Sequence, residues 1–155
     1  MMTELDAKDR RILTLLQGDG RLTNLELAEK VHLSPTATAE RVKRLTRDGF
    51  ILGYMARLSP ERLDRGMIVF VEVRLDRTAD DVFAAFAAAA RASPDITECH
   101  MVAGGFDYLI KARVRDMAAY RAFLSDTLLA LPGVRETHTY AVMEEIKNTS
   151  AIALS

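Results

Sequence analysis

The stretch Thr23–Leu45, TNLELAEKVHLSPTATAERVKRL, decides the fold of the first third of this chain. Thr23-Asn24-Leu25-Glu26 is a capping box, in which threonine and glutamate each satisfy a free amide of the other at a helix start. Leu25, Ala28 and Val31 then follow at helical spacing as a buried stripe. Ser34-Pro35 is a second start signal, an N-cap followed by proline at the first helical position. Thr38, Val42 and Leu45 give this helix an inner face, and Gly49 closes it in the left-handed conformation. Only Val31-His32-Leu33-Ser34 separates the two helices, too little chain for antiparallel packing, so they must cross. Two short crossed helices, the second of them basic, describe a helix-turn-helix.

Working outward, Asp6 caps a bracing helix in which Ile12, Leu13 and Leu16 recur at helical spacing up to about Gly18. After Phe50 the pattern turns extended through Ile51–Leu58, and Ser59-Pro60 breaks it. Met67–Leu75 alternates, as a strand with one buried face does. Thr78 caps an alanine-rich helix ending near Ala92 before Ser93-Pro94. Ile96–Ala103 is a strand, Gly104-Gly105 a turn, and Tyr108–Val114 another strand. Asp116 caps a helix to about Leu131, Pro132-Gly133 ends it, and Val134–Glu145 is the last strand. The expected class is α+β: a winged-helix-like helix-turn-helix domain at 1–52, a hinge at 53–65, and a βαββαβ ferredoxin-like sandwich at 66–155. Its helix-free sheet face would present Phe70, Ile110, Tyr140 and Val142, with the facing open by one register step. A partly apolar bare sheet of this kind is most economically covered by a second copy of the chain.

Composition limits the function classes. With 49% hydrophobic and 28% charged residues, the 155-residue chain packs a core and is not disordered. No apolar run reaches the roughly 20 residues of a membrane span. Met1–Lys8 lacks the apolar core of a signal peptide, and one cysteine, Cys99, suits a reducing cytoplasm. Residues 1–58 hold ten Lys/Arg against eight Asp/Glu, whereas 59–155 hold eleven against fourteen. Cations gather on the third helix as Arg41, Lys43, Arg44 and Arg47, pointing to double-stranded DNA as a partner. The N-terminal half of a recognition helix meets base edges, which nominates Ser34, Thr36, Thr38 and Arg41 for the groove. Arg41 has the donor fork for guanine; Lys43, Arg44 and Arg47 suit phosphates. Enzyme chemistry finds little support. Cys99 and His100 are strand neighbours and point to opposite faces, and His32, His100 and His138 lack metal-ligand spacing.

Many segments together make the chain resemble the Lrp/AsnC, or feast/famine, family of transcriptional regulators. They include Leu5-Asp6-Ala7-Lys8-Asp9-Arg10, Leu33-Ser34-Pro35-Thr36, Arg41-Val42-Lys43-Arg44-Leu45 and Gly49-Phe50-Ile51-Leu52-Gly53-Tyr54. Further on come Gly104-Gly105-Phe106-Asp107-Tyr108-Leu109, Leu131-Pro132-Gly133-Val134 and Val142-Met143-Glu144-Glu145-Ile146-Lys147. The resemblance implies a sequence-specific DNA-binding regulator that senses an amino acid and assembles as dimers and then as an octamer or another ring of dimers. It places the effector between sandwiches of neighbouring dimers. The residues there are Met101, Gly104, Gly105, Phe106, Asp107, Tyr108, Met117, Thr139, Tyr140, Ala141 and Val142. Glycine amides would meet the effector's carboxylate and Asp107 its ammonium. The chain departs from the family pattern at Ala37-Thr38, at Gly105 and at Ala141. Leucine leads as effector, with proline or another apolar amino acid next, and no cofactor or metal is implied. The rival functions are an effector-independent nucleoid-architecture protein and a stand-alone amino-acid-binding module, the latter opposed by residues 1–58.

Overall fold

The computed structural model describes residues 4–76 and 81–154; the expected cap at Thr78 lies outside them. The chain divides into two compact units, 1–57 together with 147–155, and 58–146.

The first unit is built on α1 (Ala7–Gly18), α2 (Asn24–Val31) and α3 (Pro35–Arg47). Each starts where the sequence places a cap. Asp6 and Asp9 form a capping box on α1, Thr23 and Glu26 form one on α2, and the Ser34 hydroxyl accepts from the Ala37 amide on α3. In the core Ile12, Leu16, Leu27, Val31 and Leu45 are buried, each stabilising by roughly 1.5–3 kcal/mol. Leu27 takes the place expected of Leu25, which is 60% exposed. Gly49 (φ +79°) ends α3 in the left-handed region, where the Phe50 amide returns to the Leu45 carbonyl at 2.9 Å. No strand is assigned over Ile51–Leu58. Tyr54 lies against Gly20, where a Cβ would come within 2.9 Å of the ring. The 147–155 segment is tied to α1, since the Gln17 side chain donates to the Ile152 carbonyl (2.8 Å) and accepts from its amide (2.9 Å).

The second unit opens with a 3-10 turn, Glu61–Leu63, and continues as β1 (Met67–Leu75), α4 (Val82–Ala92), β2 (Ile96–Met101), β3 (Tyr108–Val114), α5 (Met117–Phe123) and β4 (Val134–Ala141). A π turn, Leu124–Leu128, prolongs α5. The sheet is antiparallel with order β2-β3-β1-β4, the βαββαβ arrangement. Val69, Val71, Val73 and Leu75 of β1 and Tyr108, Ile110, Ala112 and Val114 of β3 face a core shared with Phe86, Ala90, Tyr120, Phe123 and Leu128.

Ile110 therefore lies on the helix side, against expectation. Val71 pairs with Ile110 and Phe70 with Lys111, and cross-strand partners share a face. The opposite face carries Phe70, Glu72, Leu109, Lys111, His138 and Tyr140. It is laced by polar contacts: Lys111–Glu98 (2.9 Å), Tyr140 Oη donating to Glu72 (3.1 Å) and Arg74–Glu136 (3.7 Å). Val142 follows the end of β4 half-buried, its amide donating to the Ile68 carbonyl at 3.0 Å.

Candidate functional site

In the helix-turn-helix, polar bonds at three places fix how α2 and α3 cross. His32 takes a left-handed conformation (φ 55°), which turns the chain sharply after α2. The Asn24 amide donates to the Pro35 carbonyl (2.7 Å), joining the starts of α2 and α3, and Lys8 Nζ donates to the Val31 carbonyl (2.6 Å) from α1. Asp9, 1% exposed, faces α3. Its Oδ1 accepts from Arg41 Nη1 (2.8 Å) and its Oδ2 from Arg44 Nη2 (2.5 Å), while Asp6 Oδ2 also accepts from Arg41 (2.7 Å). The Asp9 backbone amide, and next the Arg41 guanidinium, hold the Asp6 carboxyl below its ordinary value, and both carboxylates raise Arg41.

Two of the residues expected in the groove, Thr38 and Arg41, are engaged within this unit. Thr38 is 0% exposed, with its hydroxyl donating to the Ser34 carbonyl at 3.0 Å, so it belongs to the inner face alone. Arg41 turns towards α1, its Nη1 engaged by two carboxylates. Arg44 is drawn the same way and is not the free phosphate clamp expected of it. The Ser34 hydroxyl serves as the cap of α3. Thr36, Lys43 and Arg47 remain exposed, Arg47 with its Nε 2.9 Å from Asp48. At roughly 100° per residue, Thr36, Ala39, Glu40, Lys43 and Arg47 fall within about 50° of one line along α3. Thr38 and Leu45 lie opposite. Ala39 and Glu40 were missed as candidates, although the helical period alone places them on the outer stripe.

In the second unit, Gly104, Gly105, Phe106 and Asp107 line one cleft of about 490 Å³, together with Arg74, Leu75, Asp76 and Arg135. Both glycines are exposed, and the loop is closed by the Val102 amide donating to the Asp107 carbonyl at 3.0 Å. Asp107 is 7% exposed, not an open charge; its Oδ2 accepts from the Leu75 amide at 2.8 Å, fixing the end of β1. Arg135 enters the cleft because β4 bulges: Arg74 pairs with Glu136 but Leu75 with Val134, leaving Arg135 as the extra residue. A bulge re-aims a side chain in this way, and nothing in the local sequence signals it.

The remaining effector candidates disperse within one chain. Tyr108 is a core residue, its ring 4.4 Å from that of Phe86 and its hydroxyl raised by burial. Met101 (62% exposed) and Tyr108 line a second cleft, between α4 and β2, with Arg91 and Cys99, whose thiol burial also raises. Met117 is exposed at the start of α5, Thr139 is hydrogen-bonded to the Tyr120 hydroxyl, and Tyr140 and Ala141 are exposed on β4. The Glu72 carboxylate raises the Tyr140 hydroxyl. Among the described residues no group of His, Cys, Asp and Glu has a metal-binding arrangement, and no helix is long and apolar enough to cross a membrane.

Two family models account for nearly the whole chain. Residues 5–51 match a winged helix-turn-helix DNA-binding model, and residues 68–152 match the Lrp/AsnC ligand binding domain. The chain belongs to the Lrp/AsnC family. It is 54% identical over 151 residues to the leucine-responsive regulatory proteins of Salmonella typhimurium and Escherichia coli K12, an alignment spanning 97% of this chain and 92% of each relative. Among solved structures it is similar to a transcriptional regulator from Neisseria meningitidis in complex with L-Met, with 41% identity, a TM-score of 0.92 and 97% of both chains covered. It is also similar to E. coli AsnC, at 26% identity and a TM-score of 0.87 over 96% of this chain and 99% of that one. The regulator thus couples a DNA-binding helix-turn-helix to an amino-acid-binding domain, and it is not an enzyme.

Proposed function

We propose that this regulator responds to an apolar amino acid, leucine first, with proline or methionine next. The effector binds around the Gly104–Asp107 loop where two dimers meet, and shifts the balance between smaller oligomers and a ring of dimers. The observation that carries this reading is the cleft at that loop. Exposed glycine amides and the guanidiniums of Arg74 and Arg135 supply donors for a carboxylate there, and Phe106 supplies an apolar wall. The identity to leucine-responsive proteins and the L-Met held by the Neisseria relative support the effector class. That one chain disperses Met101, Met117 and the β4 residues is what a site completed by neighbouring subunits requires. Phe70, Leu109 and Tyr140 on the helix-free sheet face supply apolar area for the dimer contact. An effector alters such an assembly only through unequal affinity for its states.

On DNA, Thr36 and its neighbours on the outer stripe of α3 enter the major groove while Lys43 and Arg47 hold phosphates. Several dimers acting together raise the affinity of a DNA-binding unit whose net charge is small. Residues 53–65 act as the hinge, and the regulator works in the cytoplasm, where Cys99 stays reduced.

The test is sedimentation velocity of the full-length protein against each of the twenty amino acids, paired with DNA affinity under the same conditions. A shift in sedimentation and in affinity with leucine, proline or methionine is the expected result. No shift in either property with any amino acid would refute it and favour an architectural role.

A further inference from the structure

The third helix contains one acid, Glu40, in a basic surrounding. It sits on the exposed outer stripe between Thr36 and Lys43, in the first half of α3, where recognition helices meet base edges. Beside a polyanion such a carboxylate is repelled by phosphates unless it finds a donor. On an isolated helix its neighbours among the cations are Lys43, three residues on, and Arg44, four residues on. Neither pairs with it: Arg44 Nη2 is drawn to the buried Asp9 at 2.5 Å, and Lys43 forms no ion pair with it among the described residues. Glu40 has no hydrogen-bond or ion-pair partner among the described residues. Asp9 thus keeps Arg44 away from Glu40, whose carboxylate stands uncommitted on the outward face.

We infer that Glu40 is a specificity-determining residue that accepts a hydrogen bond from the exocyclic amino group of cytosine in the major groove. A carboxylate has only acceptors, and cytosine N4 is the matching donor on a base edge. The same charge weakens binding to every site that lacks a donor in that position, so Glu40 sharpens selectivity by lowering non-specific affinity.

The inference rests on the outer stripe of α3 entering the groove, and the experiment separates the two. Full-length wild-type, Glu40→Gln, Glu40→Ala and Lys43→Ala proteins select from a random duplex library, and affinities for the selected and scrambled duplexes are measured across salt. Glu40 is exposed, so its variants keep the fold. In Glu40→Ala the preference for cytosine at one position of each half-site falls by about 5- to 150-fold, and scrambled DNA binds more tightly than to wild type. In Glu40→Gln the preference at that position moves towards adenine, whose edge offers the donor and acceptor that an amide matches. An unchanged motif in both variants, with affinity raised uniformly, makes Glu40 a repulsive charge only and overturns the inference. If Lys43→Ala also leaves affinity and salt dependence unchanged, the placement of α3 in the groove fails with it.

Discussion

Replacing Asp9 with asparagine removes the negative charge that joins α1 to α3 while preserving the shape of the side chain. Breaking a fully buried ion pair by neutralising one partner costs about 3–5 kcal/mol, and an exposed pair contributes about 0.2–1 kcal/mol. Asp9 is at the buried limit with 1% exposure, but Arg41 and Arg44 keep 27% and 34%, so water relieves part of the penalty on their side. The expected destabilisation is about 2–3 kcal/mol, confined to the helix-turn-helix. Asp6 is 52% exposed, and asparagine caps a helix as well as aspartate does. The same change there is expected to cost about 0.5–1 kcal/mol. Hydrogen exchange with mass spectrometry reads both effects locally. The slowest amides of α1 and α3 should exchange about 30- to 150-fold faster in Asp9→Asn, at tenfold per 1.4 kcal/mol. The strands of the second unit should be unaffected. A change below about threefold in Asp9→Asn, or an effect of Asp6→Asn that equals it, would refute a buried charge network as the link between α1 and α3.

The Asp6 carboxyl titrates below its ordinary value of 3.8, so its stabilisation is complete above that value and is lost as pH falls through the lower folded one. Acid unfolding of the helix-turn-helix should therefore be less steep in Asp6→Asn than in wild type, as followed by far-ultraviolet circular dichroism. Thr38→Val removes the hydroxyl bonded to Ser34 and should cost about 1 kcal/mol in denaturant unfolding. It should leave the selected DNA motif unchanged; an altered motif would mean that Thr38 reaches the groove after all. Gly133 has φ +73°, and a Cβ there would stand 2.1 Å from Val82 Cγ2. Gly133→Ala should lower the stability of the second unit by at least about 2 kcal/mol, and a thermal midpoint within a degree of wild type would contradict that close approach.

Most of the architecture could be read along the chain because it depends on local chemistry. The caps at Asp6, Thr23, Ser34 and Asp116 each bond an amide three residues on, a distance set by the helix itself. The alternation in Met67–Leu75 places Val69, Val71, Val73 and Leu75 on one face and Phe70, Glu72 and Arg74 on the other, as β1 does in the sheet. The bracing helix was legible too, through Ile12 and Leu16. Leu25 and Leu27 show where periodicity runs short: both suit a helical stripe, and only the packing of α2 against its neighbours selects Leu27.

The site residues divide in the same manner. Sequence sufficed to place the outer face of α3 at the surface and Gly104–Gly105 in an exposed loop, since residue type and spacing carry both. It could not say which cations on α3 are free, because the partners of Arg41 and Arg44 are Asp6 and Asp9, more than thirty residues away. The residue type of Asp107 suggests an open charge, but its carboxylate is buried and accepts from the Leu75 amide, thirty-two residues distant. Ile110 changed faces because strand register is decided by pairing between chain segments, and one step of slip inverts every side chain. Arg135 joined the cleft through a bulge that exists only against β1. Helix caps, turns and strand alternation act over three or four residues and are written into the chain; charge pairing, register and clefts arise between distant segments and come into being only when those segments pack.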